Sequence, residues 1–423
     1  MAGRRPARKV RSRRGGASTV KDLLGGRRAF VIAEAGTAHN GSLKAGRELI
    51  DAAWHAGAAA VKFQWVIARE ILHPRTGAVD LPGGSIPLFE KFRSLERPAS
   101  FYRSLQAHCQ RRGILFLCTP FGPESARLLG ALKPRAVKIA SPELNFRTLL
   151  AAAAGQGKPL IISTGVTTFE DLVKLRRRLW ALGVPAGQAQ LLHCVTQYPA
   201  REMEYNLLLL ATLHRDLRLG VGLSDHTTDP HFLPLLAYTV CALTNQAFVL
   251  EKHFTLDKRG AGLDDPIAID PEELTGLLAG LGDLVPRTQD FLRREPLWRK
   301  DFTRALEARG AVMKRIARDF AHRLLPEYDG ARIAAALGDG VKRLAPCEAP
   351  NYHTTRRSLR AIRPIAYGER LSAKNTAWLR SEKNLAPGLP AGEAEIWGLV
   401  TATRSLADGE AIREGDFTPV ARR

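Results

Sequence analysis

The stretch that decides the fold is Ala247-Phe248-Val249-Leu250-Glu251-Lys252-His253-Phe254, an apolar run that ends in three ionisable residues. About one strand and one helix earlier, Gly222-Leu223-Ser224-Asp225-His226-Thr227 does the same. Ionisable groups at the ends of buried strands are costly unless they are paired or bind something. Two imidazoles, His226 and His253, are thereby placed to face one metal ion.

Outward from these two segments the pattern repeats. Strands are expected at Ala29–Ala35, Ala59–Trp65, Ile114–Thr119, Ala136–Ala140, Pro159–Ser163, Ala189–Val195, Leu219–Ser224 and Phe248–Lys252. Each is short and apolar on both faces, as strands of a covered parallel sheet are. Helical patterns separate them, among them Leu43–Ala56, Ala99–Arg112, Thr168–Leu182 and Pro230–Leu243. After the eighth strand, Asp270 reads as an N-cap with Pro271 at the first helical position. Eight such units between Phe30 and Val285 predict a (β/α)8 TIM barrel. An open doubly wound sheet is the alternative, but no G-x-G-x-x-G follows the first strand.

A barrel carries its chemistry at the C-terminal strand ends. Those positions hold Glu34; Lys62 and Gln64; Thr119; Lys138 with Ser141 and Glu143; Ser163 and Thr164; His193 to Tyr198; Ser224 to His226; and Glu251 to His253. A single polar strand end is ordinarily a loop-edge hydrogen bond or a cap. Polar chemistry on all eight asks for a ligand.

Composition sets the bounds. The chain has 423 residues, 45% of them hydrophobic, enough for one large domain and one small one. No apolar run reaches the roughly 18 residues of a membrane span, and no secretory signal follows the basic N-terminus. Five scattered cysteines without a C-x-x-C pair predict reduced thiols in a cytoplasmic protein. The net charge is +21, and part of it sits in MAGRRPARKVRSRRGGAS, a stretch without acids. Residues 1–28 are expected to form a basic disordered tail. Its arginines have no interleaved aromatics, so nucleic acid is not the expected partner.

Residues 29–286 are expected to form the catalytic barrel, 287–350 a basic helical connector and 351–423 a small β-rich domain. The small domain contains two similar phrases, Leu359 to Leu371 and Val400 to Ile412, each a short strand, a Gly-Glu turn and then an apolar residue.

These residues together resemble the sialic acid (N-acetylneuraminate) synthase family, the phosphoenolpyruvate-dependent synthases of nonulosonic acids. The matching phrases are Ile32-Ala33-Glu34-Ala35-Gly36 with His39-Asn40-Gly41, Ala60-Val61-Lys62-Phe63-Gln64, Cys118-Thr119-Pro120-Phe121 and Val137-Lys138-Ile139-Ala140-Ser141-Pro142-Glu143. They continue with Ile162-Ser163-Thr164-Gly165, Leu192-His193-Cys194 leading to Tyr198-Pro199, and the two phrases quoted first. The small domain is similar to the family's antifreeze-like (SAF) domain, opening at Arg357-Ser358-Leu359. The resemblance runs from about Phe30 to Phe417.

The resemblance implies a transferase. C3 of phosphoenolpyruvate attacks the aldehyde carbon of an open-chain N-acylated hexose, N-acetylmannosamine or a related amino sugar; water adds at C2 and phosphate leaves. It implies that Lys62, Lys138, Thr119, Ser141, Ser163 and Ser224 hold phosphoenolpyruvate. His226 and His253 would bind the metal, Mn²⁺ or Mg²⁺, with water and substrate oxygens in the remaining positions. Glu34, Gln64, Glu143, Tyr198 and Asp264 fall on the sugar side, with Glu143 as general acid/base. Arg357 is implied to reach into the partner's barrel of a domain-swapped homodimer.

The chain also departs from the family. Thr37-Ala38 precede His39, Trp65 follows Gln64, Thr196 precedes the Tyr-Pro pair, and the loop before Asp264 reads Ala261-Gly262-Leu263. Trp65 and Leu263 are expected to reshape the sugar pocket. Two other readings stand beside the synthase: a phosphoenolpyruvate aldolase of the 3-deoxy-heptulosonate or octulosonate type, and a catalytically silent carbohydrate-binding barrel.

Overall fold

Alternation along each strand decides what the barrel encloses. In the computed structural model, which describes residues 18–81, 84–260, 262–391 and 399–419, the eight parallel strands are β1 (Ala29–Gly36), β2 (Ala60–Trp65), β3 (Leu115–Pro120), β4 (Val137–Ile139), β5 (Leu160–Ser163), β6 (Ala189–Cys194), β7 (Gly220–Asp225) and β8 (Phe248–His253). They hydrogen-bond in the order β3-β2-β1-β8-β7-β6-β5-β4, and β3 and β4 lie beside each other, so the sheet curls into a barrel. Each expected strand is present, to within one or two residues at its ends. Most of residues 1–28, and Ala261, lie outside the described residues.

Register sets the strands' layers. Glu34 of β1 stands opposite His253 of β8 and Lys62 of β2, while Glu251 stands opposite Ser224 of β7. Inward residues at the N-terminal end are apolar: Phe30, Ile32, Ala60, Leu117, Ile161, Leu192 and Val249 form one cluster. Inward positions at the C-terminal end are the polar ones. Packing inside is close: a Cβ on Gly222 of β7 would come within 2.1 Å of the Val249 carbonyl oxygen. Lys252 and Asp225 belong to the opposite set; they pair with each other at 2.6 Å, fully enclosed, and take no part in the interior.

Two expected boundaries move. The tail was placed through residue 28, yet Val20–Leu24 is a helix with a capping box between Thr19 and Asp22. Val20, Leu23 and Leu24 join the apolar cluster inside the barrel and close its floor. The connector was placed from residue 287, after Pro286. The helix Pro271–Arg294 instead runs straight through that proline. Pro286 removes one backbone donor, but Leu281, Leu284, Thr288 and Leu292 keep one buried face going past it. The predicted Asp270 cap is present, its carboxylate accepting from the Glu272 and Glu273 amides at 3.0 and 2.9 Å.

Three further helices, Leu297–Ala308, Ala311–Leu324 and Gly330–Leu337, pack on the barrel's flank. The small domain follows with β9 (Arg357–Ala361) paired to β10 (Thr376–Arg380), and β11 (Val400–Ala402) paired to β12 (Phe417–Pro419). The two repeated phrases meet around a pseudo-twofold axis. Arg360 bridges Ala411, Ile365 bridges Leu406 and Arg370 bridges Thr401, all antiparallel. Equivalent positions exchange across these bridges, which is the physical reason for the repeat. All five cysteines are free, and among the described residues no helix is long and apolar enough to cross a membrane.

Candidate active site

A cavity of about 320 Å³ opens at the C-terminal end of the barrel. Of the residues expected from sequence, Glu34, Lys62, Gln64, Thr119, Lys138, Ser141, Ser163, Tyr198, Ser224, His226, His253 and Asp264 line it. Glu143 and Arg357 do not.

The inner end is a charged lattice. Lys62 Nζ meets Glu34 Oε2 at 2.7 Å and Glu251 Oε1 at 3.7 Å, and donates to Thr119 Oγ1 at 3.0 Å. Lys138 Nζ donates to Ser163 Oγ at 2.7 Å and to the Ile139 carbonyl at 3.3 Å; its carboxylate neighbour is the same Glu251 oxygen, at 3.4 Å. The two lysines are therefore unequal. Burial disfavours the charge on Lys62, but Glu251 and Glu34 outweigh it and leave the amine raised. Burial dominates at Lys138 and leaves it lowered, because Glu251 is shared and Lys62 repels it. Glu251 is held below its ordinary value: burial pushes it up, and Lys138 and Lys62 with the two histidines pull it further down. Its Oε2 is buried with no hydrogen-bond partner. Glu251 was read from sequence only as a polar strand end. Its place two residues before His253 on the same strand face was the available signal.

The middle of the cavity holds the imidazoles. His226 and His253 lie with ring centroids 5.2 Å apart, and Tyr198 stacks on His226 at 4.3 Å. His226 Nδ1 bonds the Val195 carbonyl at 2.9 Å, and His253 Nδ1 stands 3.5 Å from Asp264. Burial lowers both imidazoles, so they are neutral at pH 7. A neutral ring whose Nδ1–H is given to a carbonyl presents Nε2 as a lone-pair donor. No group of three or more His, Cys, Asp or Glu with metal-ligand geometry occurs among the described residues. Two imidazoles beside an acid still fit a hard divalent cation that takes its other ligands from water and substrate. Cys194 also lines the cavity, and burial pushes its thiol up to about 12, which leaves it protonated and inert.

The outer end departs from expectation. Glu143 was expected as general acid/base, yet its carboxylate is fully enclosed between two arginines. Arg357 reaches Oε1 at 2.9 Å, and Arg380 reaches Oε1 and Oε2 at 2.7 and 2.9 Å. Held this way, Glu143 is an anchor for the small domain. Arg357 was expected in a partner's barrel; here it is buried against its own, donating to the Phe121 carbonyl at 2.6 Å and to the Glu70 carbonyl. Arg380 and Glu382 line the cavity in its place, with Asn351 and Thr355. Nothing in the sequence marks Arg380 among 63 Lys and Arg residues. Trp65 points away from the cavity and stacks on Tyr102 at 4.0 Å, because an odd step along β2 faces the helices. Leu263 does line the cavity, as expected.

Comparison with known protein families matches residues 49–286 to the NeuB family and residues 356–418 to the SAF domain. The chain is 29% identical over 392 residues to the N,N'-diacetyllegionaminic acid synthase of Campylobacter jejuni, covering 92% of this chain and 100% of that one. It is 28% identical over 395 residues to the pseudaminic acid synthase of the same species, covering 92% and 97%. Among solved structures, the spore coat polysaccharide biosynthesis protein SpsE of Bacillus subtilis superposes with a TM-score of 0.71 at 28% identity, over 93% of this chain and 96% of that one.

Proposed function

The chain belongs to the NeuB family, and on that premise we propose that it is a synthase that condenses phosphoenolpyruvate with an open-chain N-acylated amino sugar. C3 of the enol forms a bond to the aldehyde carbon, water adds at C2, and phosphate leaves. N-acetylmannosamine and the diacetamido hexoses that lead to legionaminic and pseudaminic acids are the acceptor class.

The unequal lysine pair carries this reading. Lys138 has only a shared carboxylate at 3.4 Å and a depressed amine, so an arriving dianion supplies the partner it lacks. Ser163, Thr119, Ser141 and Ser224 surround it with hydroxyl donors. Lys62 stays charged through Glu34 and Glu251 and fixes the second anionic group. The sugar then lies toward Gln64, Tyr198 and Asp264. Glu34, whose Oε1 accepts from Gln64 Nε2 at 2.9 Å, is better placed than Glu143 to exchange a proton with a sugar hydroxyl. His226 and His253 would hold a divalent cation, Mn²⁺ or Mg²⁺, whose chemistry is to polarise the aldehyde.

Phosphate release from phosphoenolpyruvate across a panel of aldoses tests the proposal. Release is expected only with N-acylated amino sugars, to be abolished by EDTA and restored by Mn²⁺. His253→Ala is expected to remove both Mn²⁺ binding, read by calorimetry, and turnover. Full turnover after verified metal stripping, or release independent of the sugar, would overturn it.

A further inference from the structure

We propose that the N-terminal pole of the barrel is a docking surface for an anionic lipid bilayer. The inference makes no use of the synthase reading. It stands on the residues that the fold gathers at the end of the barrel opposite the cavity.

In a barrel of parallel strands, every loop that enters a strand lies at one pole. Here those loops are residues 25–28, 57–59, 113–114, 132–136, 155–159, 182–188, 218–219 and 244–247. Together they hold Arg27, Arg28, Lys133, Arg135, Lys158 and Arg218, and no Asp or Glu. All but the half-buried Lys158 are exposed, and among the described residues none of the six is in an ion pair. Ser18 lies at the same pole, its carbonyl accepting from Gln188 of the loop before β6 at 3.1 Å. Residues 1–17, which precede it, add further Arg and Lys and again no acid. The loops that leave the strands differ in sign: Asp229 follows β7, and Asp257, Asp264 and Asp265 follow β8. The charge of the molecule is therefore polarised along the barrel axis, and an anionic plane attracts one end and repels the other.

The helix dipole favours cations beside helix ends, but it gives no reason for large apolar side chains to be exposed there too. Trp180, in the last turn of the helix Phe169–Ala181, is 81% exposed, and Leu182 just beyond it is 39% exposed. Trp54, in the last turn of the helix Leu43–Ala56, is 40% exposed, with the Arg112 guanidinium 5.2 Å from its ring. These helices follow β5 and β1, which stand four strands apart whichever way the ring is followed. The two indoles thus lie on opposite sides of one rim, with the cations between them. Indoles at headgroup depth, an aliphatic side chain at the acyl boundary and cations on the phosphates make up an interfacial anchor. Basic charge and apolar insertion together supply the two signals that stable docking takes. A nucleic acid would stack its bases on the indoles, but it has no use for Leu182. Docked by this pole, the barrel turns its cavity mouth to the water.

Sedimentation of the full chain with sucrose-loaded vesicles tests the proposal, and none of its readouts needs turnover. The protein is expected to sediment with mixed phosphatidylcholine–phosphatidylglycerol vesicles and to stay in solution with phosphatidylcholine alone. Lys133→Glu with Arg135→Glu is expected to weaken the partitioning at least about tenfold, and Trp180→Ser with Leu182→Ser is expected to weaken it by a similar factor. Thermal melting of both double variants is expected to match wild type, since the four side chains stand at the surface. Phosphatidylglycerol brominated along its acyl chains is expected to quench tryptophan fluorescence, and Trp180→Ser is expected to remove a large part of that quenching. Removal of residues 1–17 is expected to lower the affinity and to leave the quenching at saturating lipid. Absence of binding to the anionic vesicles, or equal binding to neutral ones, would overturn the proposal. Binding that residues 1–17 supply alone, unmoved by either double variant, would overturn it as well. A single-stranded oligonucleotide is the competing ligand: affinity for it that both double variants lower, with no quenching by the brominated lipid, would assign the pole to nucleic acid instead.

Discussion

At the inner end of the cavity, Lys62, Lys138, Ser163, Ser224 and Glu251 all stand on barrel strands; at the outer end, Arg380 and Glu382 stand on a second domain and Leu263 and Asp264 on a loop. Strand positions are fixed by hydrogen-bond register to neighbours on both sides. The small-domain positions are fixed by docking, in which Arg357 and Arg380 share the Glu143 carboxylate. The difference separates the tasks. On the proposed function the rigid end is the one that takes the anion, and the docked end is the one that faces the sugar.

The sharpest way to break that contrast is at Lys138. Lys138→Met keeps the shape of the side chain and removes its charge. Catalytic efficiency with phosphoenolpyruvate is expected to fall by about 10³ or more, since on the proposed function a donor to the bound and then leaving phosphate is lost from a dry site. Leu263→Ala at the outer end is expected to redistribute activity among N-acylated sugars and leave the phosphoenolpyruvate KM within about twofold. Steady-state kinetics on both substrates checks the pair. A Lys138→Met enzyme with near-normal efficiency would mean that the anion sits elsewhere.

The same contrast explains what could be read from the sequence. Every one of these inner residues lies at the C-terminal end of a short apolar run, so strand and end followed from local pattern, and the face came only with the structure. That Glu251 and His253 face inside and Lys252 outside is a finding of the structure. The outer end depends on contacts between residues more than 200 positions apart, such as Glu143 with Arg357, for which local pattern carries no signal. Glu143 lies on a short turn after β4, where period-two reasoning stops. The floor helix was missed for a related reason. Val20, Leu23 and Leu24 are only three apolar residues in a basic stretch, and their value lies in the barrel opening that they fill.

A second, smaller effect belongs to two buried histidines outside the cavity lining. Burial lowers His39 to about 4, with Arg97 adding to it, and lowers His193 to about 3, with Lys342 adding to it. In the unfolded chain both titrate near 6.5. As pH falls from 7 towards 4 the unfolded state takes up protons that the folded state refuses, so stability drops across that window. His39 alone accounts for roughly 3 kcal/mol of that loss by pH 4. His39→Gln is expected to flatten the fall in urea midpoint between pH 7 and pH 4.5 relative to wild type. An unchanged slope would show that the ring is hydrated when folded.

The smallest expected effect is at the opposite pole of the barrel from the cavity. The Thr19 side chain caps the floor helix, accepting from the Asp22 amide at 3.2 Å, and Gln188 donates to the Ser18 carbonyl at 3.1 Å. Removal of residues 1–18 therefore spares the cap and the three apolar side chains. Kinetic constants of that truncation are expected to stay within about twofold of wild type. Removal of six further residues, through Leu24, uncovers Phe30, Ile32 and Val249 at the barrel floor. The lost burial is on the order of 5 kcal/mol. Thermal unfolding of the two truncations is thus expected to diverge while the first remains close to the full chain. Similar melting of both would show that the floor is closed without the helix, and a slow first truncation would show that the basic stretch itself takes part in catalysis.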